Sequence, residues 1–359
     1  MPFFKKHRLF LIISLLIAII DGAFVGITYL QAKHNIHLDE QQKAINHFSA
    51  FDIAYKASQE NMLQIAHIVA NTPSYQELFY AGKLAVEQEG GGAGGSESKQ
   101  ARDALNNAVA SSWKDFTTKF SARQLHFHLG PGSTSFLRVH KPQKFGDNMD
   151  DIRHTIVASN SLQKEVKGFE TGRVYSGIRG TSPVFFTNNE GISEHVGTVE
   201  AGLSFQPVLQ NLVETSNINA AILLYKDHLA ANVWPDYLKK RLQDTPAINN
   251  LVIEQTTNDF ITPLAKLSAS MMINESNHQH SKIEGSDINM QVIAFNGDTY
   301  LYTTKPLRDF LGSTDLTKPD AGQVVIWQNI NDIHALFNHH LKINIFYALT
   351  AFFIIEILV

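Results

Sequence analysis

The chain of 359 residues contains no cysteine. Disulfides, thiolate metal sites and a cysteine nucleophile are therefore excluded, while the compartment is left open. A basic surplus is also missing. Lys and Arg number 30 against 34 Asp and Glu, a net charge of -4, so nucleic acid is not an expected partner. The catalytic signatures are lacking too. Residues 130–133 read Gly-Pro-Gly-Ser and form no G-x-S-x-G elbow, and no S-x-x-K comes with its companion motifs. The glycine run at 89–96 is followed by no Lys-Ser/Thr pair and preceded by no strand, so it reads as a flexible loop and not as a phosphate cradle. His126, His128, His140 and His154 supply imidazoles without the helical or finger spacing of a zinc site. No catalytic residue, metal or cofactor is assigned.

Long apolar runs, by contrast, occupy both ends. Lys5, Lys6, His7 and Arg8 precede residues 9–30, a stretch long enough to cross a hydrocarbon core of about 30 Å as a helix. A cleaved signal peptide would have a shorter core ending at small residues, so an uncleaved span with a cytoplasmic N-terminus is expected. Gly22 and Gly26 form a G-x-x-x-G pair of the kind that lets helices approach closely. A second apolar run covers 343–359 and stops in mid-pattern, which reads as a fragment of a longer protein. Residues 31–341 are then expected on the side of the membrane away from the cytoplasm, periplasmic or extracellular.

Between the spans, Ile45, Phe48, Tyr55, Met62, Ile65 and Val69 recur at helical steps, with no Gly or Pro before Pro73. One long helix leaving the membrane is predicted there, with further helices over 75–86 and 98–119. Period-two alternation begins at Gln124. Strands are expected at 125–129, 136–139, 182–186 and 197–205, and helices at 150–160 and 208–213. A similar series follows: a strand at 220–225, a helix at 238–245, a hairpin around Asn296-Gly297, a strand at 322–327, and a helix from Asn331. Gly197, Val199, Ala201, Phe205, Val208 and Leu212 overlay Gly322, Val324, Ile326, Ile330, Ile333 and Phe337 at one constant offset. That internal repeat predicts two antiparallel sheet modules, each ending in a strand and then a helix.

Several residue groups carry a family resemblance. They are the run 125–129, residues 135–138, His140 with Pro142, residues 144–147, and Gly177, Arg179 and Gly180. Weaker parallels fall at 300–309 and 322–327. Together these resemble the double Cache (PAS-like) sensor family, of the subfamily attached to bacterial chemoreceptors, sensor histidine kinases and diguanylate cyclases. The resemblance implies an α+β fold: a long N-terminal helix beside two tandem PAS-like modules, between two transmembrane helices. It also implies a small-molecule ligand in the membrane-distal module, signalling as a homodimer, and no enzymatic activity in this region. The glycine loop is an insertion relative to the family, and the turn at 130–132 departs from its usual form. The domains expected are 1–30, basic tip and first span; 31–119, long helix and helical hairpin; 120–215, distal module; 216–333, proximal module; and 334–359, linker helix and second span.

The candidate ligand residues lie in the first module. His126 and His128 share one face of a strand, opposite Leu125, Phe127 and Leu129. Arg138, Arg153 and Arg179 offer planar forks suited to a carboxylate or phosphate. His140 adds an imidazole, and Phe136, Phe145 and Tyr175 would supply an apolar wall. The site expected from these nine residues takes a small anionic or zwitterionic organic molecule. Two blander readings remain open: Arg138 paired with Asp147, Asp150 or Asp151 to pin a loop, and the histidines as satisfied structural groups. Asp309 reads as either a functional carboxylate or a cap. The alternative for the whole chain is a membrane-anchored domain that senses a partner protein or serves a structural role.

Overall fold

The computed structural model describes residues 2–273 and 280–358. Val359, the last residue of the second apolar run, lies outside them. The elements in order are helices α1 (Pro2–Ala70), α2 (Pro73–Gln88) and α3 (Ser96–Phe120), strands β1 (Gln124–Leu129) and β2 (Thr134–Arg138), α4 (His154–Leu162), β3 (Val166–Thr171), β4 (Ser176–Thr187), β5 (Ser193–Leu203) and α5 (Gln206–Ser216). After these come β6 (Asn219–Tyr225), α6 (Lys226–Asn232), α7 (Pro235–Asp244), β7 (Leu251–Thr256), α8 (Ile261–Ile273), β8 (His280–Lys282), β9 (Asn289–Phe295), β10 (Asp298–Leu307), α9 (Phe310–Thr314), β11 (Gly322–Asn329) and α10 (Asn331–Leu358). The long first helix, the helical hairpin and most strands fall where periodicity put them. α1 runs unbroken for 69 residues, and Pro73, which cannot continue a helix, opens α2 at its first turn. α1 and α10 are each long and apolar enough, by length and composition, to cross a membrane.

The strands form two antiparallel layers of matching order, β2-β1-β5-β4-β3 and β7-β6-β11-β10-β9-β8. The repeat offset therefore has a structural counterpart: β5 leads to α5 as β11 leads to α10. Its first pair of glycines shares one physical role. A Cβ on Gly197 would strike the carbonyl of His128, and a Cβ on Gly322 that of Leu223, so bare backbone is needed at each place. Asn296 and Gly297 both take positive φ, 52° and 86°, as the hairpin signal requires.

The chain divides into two compact units, one of residues 48–273 and 304–326, the other of the remaining described residues. The first unit holds the whole β1–β5 sheet, and its register sorts side chains by period two. Leu125, Phe127, Ile178, Val199 and Ala201 make an apolar face. Phe79 of α2 packs edge-on to Phe127, with ring centroids 5.3 Å apart. Gly180 sits where α1 crosses this face; a Cβ there would fall on the backbone of Met62 and Leu63. Backbone cannot yield as a side chain can, so Gly180→Ala is expected to cost about 3 kcal/mol. Gly191→Ala, at φ 79° with open space around it, is expected to cost only the backbone strain, about 1–2 kcal/mol. Thermal unfolding of the two variants checks the contrast; equal losses would contradict the close approach.

Two differences from the sequence reading stand out, and one of its open alternatives is decided. α4 begins at His154, not near residue 150, because Asp150 is engaged instead, accepting from Ser133 N and Oγ at 2.7 Å each. The glycine loop is anchored and not free: the Glu89 carboxylate accepts from Gly95 N at 2.6 Å, Glu97 N at 2.8 Å and Ser98 N at 3.0 Å, which ties the loop to the start of α3. Asp309 caps α9, accepting from Gly312 N at 2.7 Å.

Candidate functional site

The opposite face of the β1–β5 sheet is polar and fully buried. Gln124, His126 and His128 lie in register with Gly202, Glu200 and Thr198. Arg179 pairs with Gly202 across β4 and β5, and Glu170 with Gly177 across β3 and β4. Those two glycines make room for Arg179: a Cβ on Gly202 would lie 2.7 Å from its Nη1, and one on Gly177 3.4 Å from its Cζ. The motif at 177–180 thus houses a buried guanidinium on one face and admits α1 on the other.

Gln124 ties the face together. Its amide donates to Glu200, and its carbonyl oxygen accepts from Arg179 Nη1 at 2.5 Å and from the Tyr175 hydroxyl at 3.0 Å. Arg179 Nε lies 3.3 Å from Glu200 Oε1. Arg153, at the start of α4, reaches only to 3.9 Å from both Glu170 and Glu200. Its Nε and Nη1 make no hydrogen bond among the described residues, although the side chain is 7% exposed. Thr155 donates from N and Oγ1 to Glu170 at 2.7 and 3.0 Å.

Charge is shared unequally across this cluster. Burial opposes ionisation of Glu200, but Arg179 and then Arg153 overcome it and hold the carboxyl well below the usual range. Burial pushes Glu170 up, and the pull of Arg153 does not offset it. Burial also opposes both arginines. At Arg179 the field of Glu200 prevails and proton affinity rises. At Arg153 burial and the neighbouring Arg179 prevail and it falls. Both guanidiniums stay charged, so Arg153 is the cation whose charge is less well matched. Burial lowers His126 and His128 alike and brings His140 down to about 4, so the three rings are neutral near pH 7.

A cavity of about 540 Å³ opens beside this cluster. It brings together six of the nine residues proposed from the sequence: His126, Arg138, His140, Phe145, Arg153 and Tyr175. The other three are placed in the core. His128 is sealed, with its Nδ1 3.2 Å from the Ser133 carbonyl oxygen. Phe136 points to the helical side, 5.4 Å from the Phe79 ring and against Gly82. Arg179 is held beneath the wall by Gln124 and Glu200. Arg138 lines the cavity but is already engaged: its Nη1 and Nη2 donate to the two Asp147 oxygens at 2.8 and 2.7 Å, and Nη1 also donates to the Lys144 carbonyl. That is the loop-pinning pair the sequence left open.

Lining residues that the sequence did not single out are Gln124, Lys141, Lys144, Arg173, Trp234 and Tyr237 among others. Five basic side chains (Arg138, Lys141, Lys144, Arg153 and Arg173) face two carboxylates, Asp147 and Asp151. Each carboxylate is paired with an arginine, Asp147 with Arg138 and Asp151 with Arg173. The excess charge at the cavity is therefore positive: two exposed lysines at the rim, with Arg153 at depth held by Glu170 and Glu200 only at 3.9 Å.

His126, His128 and Glu200 also bring three donor atoms within 4.8 Å of one another, the spacing of a metal trio. The same carboxylate, however, neutralises Arg179 and Arg153. A divalent ion there would sit against two fixed cations, so the donor set fits an ion poorly.

Residues 46–333 match the family described as the double sensory domain of two-component sensor kinase. Among solved structures, the sensory domain of the Campylobacter jejuni chemoreceptor Tlp3 is 12% identical, covering 86% of this chain and 99% of that one with a TM-score of 0.41. The Vibrio cholerae histidine kinase DctB sensor domain is 11% identical over 84% of this chain and 98% of that one, TM-score 0.43. The periplasmic domain of Vibrio cholerae LuxQ is 9% identical over 80% and 100%, TM-score 0.42. No curated protein matches.

Proposed function

Because this chain belongs to the double sensory domain family of two-component sensor kinases, we propose that it senses a small organic anion in the cavity beside β1 and α4 and passes its occupancy across a membrane. The observation that carries the reading is Arg153, a buried guanidinium at the cavity wall whose Nε and Nη1 have no hydrogen-bond partner among the described residues. A carboxylate in the cavity would supply the close, charge-assisted partner that Glu170 and Glu200, at 3.9 Å, do not. The paired state of Asp147 and Asp151 favours a net anion over a cation. A zwitterion would need one of those pairs to open.

The sensor region of this reading lies outside the plasma membrane, with Lys5, Lys6 and Arg8 on the cytoplasmic side. α1 runs without a break from its apolar segment into the sensor, and α10 follows directly from β11. A ligand moves such a receptor only by its different affinity for two states, and a second copy of the chain gives each helix a reference to move against. Thermal unfolding against organic acids, their neutral amides and amines tests the anion. A saturable rise in midpoint with acids alone is expected. A rise with amines would overturn the reading, and no rise with any compound would favour a partner protein as the signal.

A further inference from the structure

We infer that Trp234 and Tyr237, on the connection between β6 and β7, form the selective wall of this cavity and that its occupant is a carboxylate with a planar apolar body. The inference rests on the anion reading above. Both rings line the cavity, yet they are 46% and 50% exposed. Rings of that size left half open beside a cationic site offer a face to a ligand and not to the core. Their centroids lie 5.9 Å apart with planes inclined at 46°, so the pair makes an angled surface.

The surface is held in place. Trp234 N donates to the Arg173 carbonyl at 3.0 Å. Arg173 in turn donates to the Asn232 carbonyl at 3.2 Å and pairs with Asp151. Pro235 fixes the first turn of α7 directly after Trp234. The turn between β3 and β4 and the connection after β6 are thereby tied by backbone and charge, which sets the indole at the cavity without core packing. On the sheet side, Tyr175 is positioned by Gln124 and by Arg123, whose Cζ lies 4.8 Å from its ring centre. A planar body between these rings with its carboxylate on Arg153 uses both chemistries of the cavity. A ligand as small as acetate uses only the charge.

The test uses the full chain in lipid nanodiscs with phenylacetate and acetate as probes. Phenylacetate is expected to bind at least about tenfold more tightly than acetate. Trp234→Ala and Tyr237→Ala should each weaken phenylacetate about five- to tenfold and change acetate by less than about twofold. Trp234→Phe should keep most of the affinity but lose the ligand-dependent change in tryptophan emission, since the other two tryptophans, Trp113 and Trp327, lie outside the cavity lining. Equal affinities for the two acids, or equal losses for both in the alanine variants, would overturn the inference and leave the anion site standing. Binding of neither acid would overturn both.

Discussion

Glu200→Ala is expected to lower the unfolding midpoint by about 10 °C, corresponding to a loss of about 3–5 kcal/mol. Glu200 is 0% exposed and carries the negative charge nearest to two buried guanidiniums. Removing it leaves Arg179 and Arg153 in a medium that cannot solvate them, with Glu170 as the remaining carboxylate. Glu170 is a poor substitute, because burial already pushes its pKa up. The pH dependence follows with a definite sign. Glu200 ionises more readily folded than unfolded, so its contribution is complete above the ordinary carboxylate value of about 4.3 and declines as pH falls below it. The midpoint difference between wild type and variant should be constant from about pH 8 to 5 and shrink in more acidic solution. Glu170 has the opposite sign: its raised pKa means that the charged form is the unfavourable one, and Glu170→Gln should be close to neutral at pH 7. Adding Arg179→Met to Glu200→Ala should recover part of the loss, since it removes the charge left unpaired. A Glu200→Ala protein as stable as wild type would contradict the assignment of a neutralised arginine pair.

Arg153→Ala is expected to weaken anion binding about a hundredfold, the usual size of a desolvated charge-assisted bond. Arg153→Lys should recover only part, because a point charge replaces a fork. Arg138→Ala should act differently. Its two donors are held by Asp147 and its Nη1 by the Lys144 carbonyl, so its loss frees the loop at 141–147 and weakens binding by less than about threefold.

The sequence disclosed the scaffold better than the charge balance inside it. Alternation at 125–129 located β1 and put the histidines on one face, and Asn296-Gly297 located its hairpin. What alternation cannot disclose is the partner across the sheet. His126 lies opposite Glu200, 74 positions later in the chain. An acid set directly between Val199 and Ala201 was the available signal. β3 is not legible from alternation because one of its buried faces carries Gly168 and Glu170, and Phe169 and Thr171 on the other are too few to mark a strand. Its glutamate accepts hydrogen bonds from Thr155 of a separate helix and lies 3.9 Å from Arg153. Arg138 and Arg153 are equal as forks in sequence. Only the fold shows that Asp147 occupies one and leaves the other facing the cavity. Trp234 and Tyr237 reach the site from a later connection, a proximity set by tertiary structure alone.

The most direct measurement is a calorimetric titration of the best-binding organic acid into the full chain and its Arg153→Ala and Arg138→Ala variants. The account predicts saturable binding in wild type, near-complete loss without Arg153, and nearly unchanged affinity without Arg138. Loss confined to the Arg138 variant, or equal binding in all three, would contradict it.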